Sequence, residues 1–338
     1  MAYLNVDVAV AGDNLEVSAT PALATLWEEV LDDLNVLTKK RQGEEDEEAK
    51  KRQPPHVAAS ALGVKVGNGP RGEVTDANSN RVFRAAAGNA SSDVGTLGSG
   101  SDYTAFLDHL GIASMDFSFN QAIGTYGVYH SIYDSFDWID NWGGTLGSPG
   151  SSFDFMAAAA RVWGVLALRL ADEPLVPFDH AAQAEALAGY EADVRSHEDP
   201  ASGLTLDLSS LSAAVAQYKA AADQMAADVA AFRNSRRSRE GGSNNEKEQG
   251  DGPEAAALNQ RLTLTERRFL AEEGLPQRPY FKHTLQAPGL YLGYAAEALP
   301  GVRQALDDGD QALAQEQVEV AAARIAAAAT FLATGQDE

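Results

Sequence analysis

The chain has 338 residues, 44% of them hydrophobic, which suits one large domain or two ordinary ones. Its 49 acidic and 26 basic side chains leave a formal net charge of -23, and a charge of that sign repels phosphate backbones, which argues against nucleic acid as a partner. Cysteine is absent, so disulfides and thiolate zinc ligands are excluded, and any metal ion must be held by histidine and carboxylate side chains.

The first 38 residues predict an α/β unit. Residues 3–10 have the pattern of a buried strand. Thr20 and Pro21 then open a helix, with threonine as N-cap and proline at the first helical position. Asp7 lies near the carboxyl end of the predicted strand, the edge at which ligands gather in open α/β sheets. Taken alone, an acid in this position is more often a cap or a surface residue.

The next stretch, residues 39–95, predicts a mostly disordered insertion. It begins with a block of mixed charge and continues with a segment rich in Gly, Asn and Ser. Residues 64–74 have the pattern of a short hairpin. The triplet Asn89-Ala90-Ser91 is a glycosylation sequon, which favours a lumenal glycoprotein.

Order returns at residue 96. The pattern predicts a helix around Tyr103–Leu110, a strand at Met115–Phe119 and an apolar helix at Phe153–Ala171. The charges within this last helix make it a buried core helix rather than a membrane span. His130 lies between them, in an aromatic-rich segment; imidazole is a common zinc ligand, although a lone histidine beside tyrosines is usually structural.

From Pro177 onward the pattern is helical. Apolar residues between Leu208 and Phe232 recur at alternating steps of three and four, a heptad seam that needs a partner helix. A charged segment, 235–254, predicts a disordered linker. The alanine-rich segment Gln311–Leu332 allows close helix packing, so a helical bundle or a subunit interface is expected.

Several blocks of the sequence resemble, in the same order, the glutamate carboxypeptidase II family of zinc peptidases, which shares a superfamily with the transferrin receptor. The similarity covers nearly the whole chain apart from the segments near 39–95 and 235–254. The blocks are Ala2-Tyr3-Leu4-Asn5-Val6-Asp7, Leu97-Gly98-Ser99-Gly100-Ser101-Asp102-Tyr103, Leu110-Gly111-Ile112-Ala113-Ser114, Tyr129-His130-Ser131-Ile132-Tyr133, Val176-Pro177-Phe178-Asp179, Gly274-Leu275-Pro276-Gln277-Arg278-Pro279 and Tyr294-Ala295-Ala296-Glu297.

The resemblance implies an α/β fold, the C-terminal part of a peptidase sheet domain with helices on both faces, followed by an all-α helical-bundle dimerisation domain. Residues 1–38 and 96–176 would form the peptidase part, and 177–338 the transferrin receptor-like dimerisation domain through which family members form homodimers. The family is often membrane-anchored, with a lumenal, vacuolar or extracellular peptidase domain. Its substrates are peptides.

The same resemblance implies a site with two zinc ions. Asp7 would be a terminal ligand of one ion and His130 of the other, and Tyr129 would stabilise the oxyanion. Gly100, Ser101 and Tyr294 would line the substrate pocket. The family's remaining zinc ligands and its general base lie upstream of the strand that contains Asp7. Because hydrolysis through a zinc-bridging hydroxide needs both ions and that base, we expect a truncated chain that is inactive by itself.

The residues that read glutamate in the family are replaced. Its paired pocket arginines fall at Asp116 and Ser118, a further arginine near Glu16, an asparagine at Ser101 and a lysine at Gly293. Losing these cations removes the carboxylate clamp, so a preference for acidic C-terminal residues is not expected. The alternative is a non-catalytic dimeric interaction protein in the manner of the transferrin receptor.

Overall fold

The structure is a computed structural model that describes residues 1–31, 94–120, 126–144, 149–197, 205–240 and 252–337. The predicted insertion at 39–95, with its hairpin and its sequon, therefore lies outside the described residues apart from Val94 and Gly95. Among the helices described, none combines the length and the apolar character that a membrane span requires.

The first half is built on a three-stranded sheet. Strands β1 (Tyr3–Asn5), β2 (Asn14–Ala19) and β3 (Ser114–Asn120) lie in the order β1-β3-β2. The central strand β3 pairs in parallel with β1 and antiparallel with β2. On β3, alternate residues from Met115 to Phe119 are buried, which confirms the strand predicted there. The strand predicted at residues 3–10 is shorter, because the chain bends away from the sheet after Asn5.

The helix predicted after Thr20 is present, but its N-cap differs from the prediction. A short 3-10 turn, Pro21–Leu23, leads into helix α1, described over residues 24–31. The Thr20 side chain makes no capping hydrogen bond; its Oγ1 accepts the amide hydrogen of Ser114 at 2.9 Å instead. The threonine thus attaches the start of the helix to β3.

The helix predicted around Tyr103–Leu110 is present as a short helical segment, of which Ala105–His109 form a π-helical turn. Two helices follow β3: α2 (Phe136–Trp142) and α3 (Ser151–Asp172). The sequence predicted α3 as a buried core helix, but only one of its faces is buried. Its inner face is buried at Ala158, Val162 and Leu166, whereas large side chains on the opposite face are exposed, among them Phe153, Met156, Trp163 and Leu168.

The second half is mainly helical, comprising α4 (His180–Ser196), α5 (Ser209–Glu240), α6 (Gly252–Leu264), α7 (Pro300–Asp307) and α8 (Gln311–Thr334). Helix α5 packs along α8 on one side and α4 on the other. Its predicted seam is buried from Leu211 to Met225. The described part of the chain is therefore predominantly helical with small sheets, which confirms the predicted fold class in part.

Two features of this half depart from the sequence prediction. Residues 235–240 and 252–254, assigned to a disordered linker, are helical. Residues 235–240 continue the preceding helix because the charged residues after Phe232 include neither proline nor glycine until Gly241. An antiparallel pair, β4 (Gln286–Pro288) with β5 (Ala296–Ala298), also lies where only helices were expected. Strands of three residues are too short to show a period in the sequence.

Candidate functional site

Two loops meet in front of the sheet. One, residues 98–102, precedes the π-helical turn, and the other, residues 289–295, joins β4 to β5. The amide of Ser99 donates to the carbonyl oxygen of Tyr294 at 3.1 Å. A Cβ placed on Gly100 would lie 2.7 Å from Cγ of Tyr294, and Gly100 has a φ of +105°. Only glycine at position 100 therefore allows the first loop to lie against the ring of Tyr294. The Tyr294 side chain is otherwise largely exposed to solvent.

A hydrogen bond from Tyr103 fixes the position of the first loop. The Tyr103 hydroxyl donates to the carbonyl oxygen of Ser99 at 3.0 Å, and its side chain is buried with Leu97 and Leu107. Burial raises the pKa of the Tyr103 hydroxyl, with Asp116 adding to the shift, so the phenol stays protonated and remains a donor. The position of the loop therefore depends on a residue that the sequence analysis did not single out.

A hydrogen-bonded network connects this loop to the end of β1. The side-chain amide of Asn5 donates to Oγ of Ser101 at 2.8 Å and to Oδ1 of Asp116 at 3.1 Å. The backbone amide of Asp7 donates to the same Oδ1 at 3.3 Å. Burial raises the pKa of Asp116, while the hydrogen bonds from Asp7 and Asn5 oppose the shift. A continuous series of contacts thus runs from Asp7 to Tyr294.

Asp7 lies two residues beyond β1, with an exposed side chain. Val8, which follows it, has a φ of +49°. A β-branched residue rarely adopts this left-handed backbone, and such strain concentrates at functional sites. The bend turns the chain away from the sheet just where the Asp7 carboxylate is presented.

His130 lies in a turn after Tyr126, and it too has left-handed backbone, with a φ of +57°. Its exposed ring stacks on Tyr129, with ring centroids 3.7 Å apart. The hydroxyl of Tyr126 donates to Asp134 at 2.8 Å. Burial and this hydrogen bond raise the pKa of Tyr126 to about 12, and the charge of Asp7 contributes to the shift.

These residues do not form a complete zinc site by themselves. Within the described ranges, no group of three histidine, aspartate or glutamate side chains comes close enough to share a metal ion. A zinc ion takes at least three protein ligands in known site types. Asp7 and His130 can accordingly supply only part of a ligand set, and their roles as ligands remain predictions.

Three of the positions that the resemblance matches to glutamate-reading residues, Glu16, Asp116 and Ser118, lie on the three-stranded sheet. Glu16 on β2 is opposite Ser118 on β3. The side-chain amide of Asn120 donates to both, at 2.9 Å to each. With Asp116 two residues before Ser118 on the same face, this face of the sheet presents carboxylates rather than cations.

The network contains a residue that sequence reasoning passed over, Asn5. A signal was present, because Asn5 and Asp7 are two positions apart in a strand pattern and so share a face. Their common partner, Asp116, was singled out only as the replacement of an arginine. The distance along the chain hid the connection, since Asn5 and Asp116 are 111 positions apart.

Comparison with known proteins agrees with the resemblance. Residues 206–333 match the sequence profile of the transferrin receptor-like dimerisation domain. A probable glutamate carboxypeptidase of Arthroderma benhamiae is 31% identical over 100% of this chain and 39% of its own length. The probable glutamate carboxypeptidase LAMP1 of Arabidopsis thaliana is 29% identical over 91% of this chain and 36% of its own length. The chain fits the C-terminal part of a glutamate carboxypeptidase II-like protein.

The relatives also include a protein that is named as inactive. A protein of Schizosaccharomyces pombe called an inactive zinc metalloprotease is 25% identical over 94% of this chain and 33% of its own length. The chain thus spans between a third and two fifths of the curated relatives described here. The relatives of this chain thus include proteins named as probable carboxypeptidases and one named as inactive.

Proposed function

We propose that the chain is the C-terminal part of a co-catalytic di-zinc exopeptidase that hydrolyses peptide bonds. In this proposal Asp7 contributes a ligand to one zinc ion and His130 a ligand to the other. Tyr129 stabilises the oxyanion, and Gly100, Ser101 and Tyr294 contact the substrate. The observation that carries the proposal is the series of contacts joining Asp7, through Asn5 and Asp116, to Ser101 and the loop of Tyr294.

The exposure of the proposed residues supports these roles. Asp7, Tyr129, His130 and Tyr294 are all exposed, although most aromatic side chains in the helical half are buried. An exposed carboxylate and an exposed imidazole are available to a metal ion, and Tyr129 is held beside the imidazole by ring stacking. Two of the four left-handed non-glycine residues among the described ranges are Val8 and His130, at these same two places.

The second half supports self-association. The profile match at 206–333 lies within the predicted dimerisation domain, 177–338, and we propose that this domain forms a homodimer. Its long helices α5 and α8 already cover each other, so a partner would contact their remaining faces. Sedimentation of the purified chain tests this point. The monomer mass is 35.8 kDa, and a homodimer should sediment with twice that mass.

We propose further that this chain is inactive by itself, because the described residues lack a complete zinc ligand set. With only one protein ligand on each ion, zinc binding is weak, and the water that a peptidase must activate is not held. The alternative, a non-catalytic dimeric interaction protein, is favoured by the same observation and by the relative named as inactive.

Zinc titration followed by NMR tests the ligand roles. We expect added zinc to shift the resonances of Asp7 and of the His130 ring at millimolar concentrations. The variants Asp7→Asn and His130→Gln should each abolish the shift at their own position. As a matched control, His109→Gln changes a histidine whose Nδ1 lies 2.9 Å from the carbonyl oxygen of Tyr280 and should leave both shifts intact. Zinc shifts confined to residues other than Asp7 and His130 would contradict the proposal.

A further inference from the structure

We propose that Asn5 and Asp116 are positioning residues that join the metal side of the site to its substrate side, so that the geometry at Asp7 depends on Ser101. This inference rests on the proposed function for the roles of Asp7 and Ser101. The network itself is independent of any bound metal or peptide. It involves three segments of the chain that are far apart in sequence.

The first step is the amide of Asn5. A primary amide has two N–H donors. In Asn5 the amide nitrogen donates to Ser101 Oγ and to Asp116 Oδ1, so its donors are directed to the loop and to β3 at once. The side chain is buried, and losing either partner would leave a buried donor unsatisfied. The orientation of Asn5 is therefore set by both partners together.

The second step is the carboxylate of Asp116. Its Oδ1 accepts from the Asn5 amide and from the Asp7 backbone, and hydrogen bonds to a charged acceptor are stronger than those between neutral groups. Asn5 and Asp116 are register partners across β1 and β3, so their backbones already hold the two side chains next to each other. Asp7 lies beyond the end of β1, where the strand pairing no longer holds it.

The third step is the effect that the hydrogen bond from the Asp7 amide to Asp116 has on the geometry at Asp7. Val8 departs from the strand into left-handed backbone, so the chain at Asp7 is not held by ladder hydrogen bonds alone. The bond from its amide to Asp116 fixes the peptide plane from which the Asp7 carboxylate projects. A change at Ser101 reorients Asn5, alters its bond to Asp116 and so reaches Asp7. Contact with substrate at Ser101 would thereby act on the metal ligand.

Amide hydrogen exchange in the metal-free chain, measured by NMR, tests the network. In Asp116→Ala the Asp7 amide should exchange about ten-fold faster than in the native chain, as expected for the loss of one hydrogen bond to a charged acceptor. Asp116→Asn retains an acceptor oxygen and should restore slow exchange. Asp102→Ala, which removes an exposed carboxylate beside Ser101, is the matched control and should leave the Asp7 amide unchanged.

The hydrogen bond between Asn5 and Ser101 in the loop is tested by a separate measurement, the resonance of the Asp7 amide. Ser101→Ala should shift the Asp7 amide resonance, whereas Ser99→Ala in the same loop should not, because the hydrogen bonds of Ser99 run through its backbone. A residue with a local packing role alone would not transmit this change. Equal exchange of the Asp7 amide in the native chain and in Asp116→Ala, or an unmoved Asp7 resonance in Ser101→Ala, would overturn the inference. If the proposed function is wrong, the zinc titration of the native chain shows this independently of the hydrogen-bonded network.

Discussion

The two halves of the molecule differ in what covers their large apolar side chains. In the helical half, Tyr218, Phe232, Phe269 and Phe331 are almost completely buried against neighbouring helices. In the sheet half, Ile132, Tyr133, Phe136 and Trp142 are largely exposed around the candidate site. Buried residues of both halves belong to one core cluster, but in the sheet half the region of the site also leaves large apolar side chains open to solvent. Stability and function are expected to respond to mutation in different halves.

The largest expected effect is in the helical core. Phe269 is fully buried, with ring contacts to Tyr218 and His283 at centroid distances of 5.8 and 6.0 Å. Phe269→Ala should lower the free energy of unfolding by about 3–5 kcal/mol, because it removes a buried ring and leaves a cavity. Chemical denaturation monitored by circular dichroism measures the change. A loss below about 1 kcal/mol would mean that the core of this half is not as the structure shows.

A buried acid at the junction of the halves predicts a pH dependence. Asp108 is fully buried, and within the described part of the chain neither carboxylate oxygen has a hydrogen-bond partner. Burial raises its pKa from 3.8 to about 8, although the charge of Arg278 opposes the shift. Between these values the unfolded chain releases a proton that the folded chain keeps. Stability due to this group therefore falls as pH rises, by about 1.4 kcal/mol per pH unit within the window.

Asp108→Asn removes this titration. The stability of the variant relative to the native chain should increase steadily from pH 5 to pH 8 and should level off above the folded pKa of about 8. Denaturation at several pH values measures the difference, and other groups cancel in it. A difference that is constant with pH would show that Asp108 is ionised in the folded chain throughout.

A smaller effect is expected at the direct contact between the halves. Asp179 caps α4 by accepting from the amides of Ala181 and Ala182, and its other oxygen accepts from Thr25 Oγ1 at 2.7 Å. Asp179→Ala should cost about 2 kcal/mol, since it removes both the cap and the bond to α1. Asp179→Asn retains a capping oxygen and should cost less than half as much. Equal losses in the two variants would contradict the capping role.

The smallest effect is expected on the exposed surface near the site. Phe136 is 72% exposed at the start of α2. Phe136→Ala should change the free energy of unfolding of the isolated chain by less than about 0.5 kcal/mol, as for ordinary surface substitutions. Because the ring is as large as that of Phe269, this pair of variants isolates burial from side-chain type. A loss at Phe136 comparable to that at Phe269 would erase the distinction between the halves.

The sequence predicted elements whose pattern is regular and local. The strand β3, the helix α3 and the heptad seam of α5 each repeat a short period that one face of the element buries. It failed where the outcome depends on residues far away. The side chain of Thr20 was expected to cap its own helix, yet it binds the amide of Ser114, 94 positions away. The hairpin β4–β5 was missed because three-residue strands have no measurable period.

The candidate site could be predicted only residue by residue. Asp7 and His130 came from the resemblance, since a single acid and a single histidine carry little information by themselves. The network that connects Asp7 to the pocket depends on pairs such as Asn5 with Ser101, 96 positions apart. Local patterns cannot encode such pairs. What the sequence did contain was the spacing of Asn5 and Asp7 on one strand face, and this spacing became meaningful only once Asp116 was seen opposite.

The most direct test of the account is the zinc content of the purified chain together with its peptidase activity. After dialysis against zinc and removal of excess ion, elemental analysis should find fewer than two zinc ions per chain. Hydrolysis of dipeptide and glutamyl-peptide substrates should not exceed the uncatalysed rate, because the described residues hold only part of a ligand set. Two tightly bound zinc ions per chain, with peptidase activity that is lost in both Asp7→Ala and His130→Ala, would contradict the account.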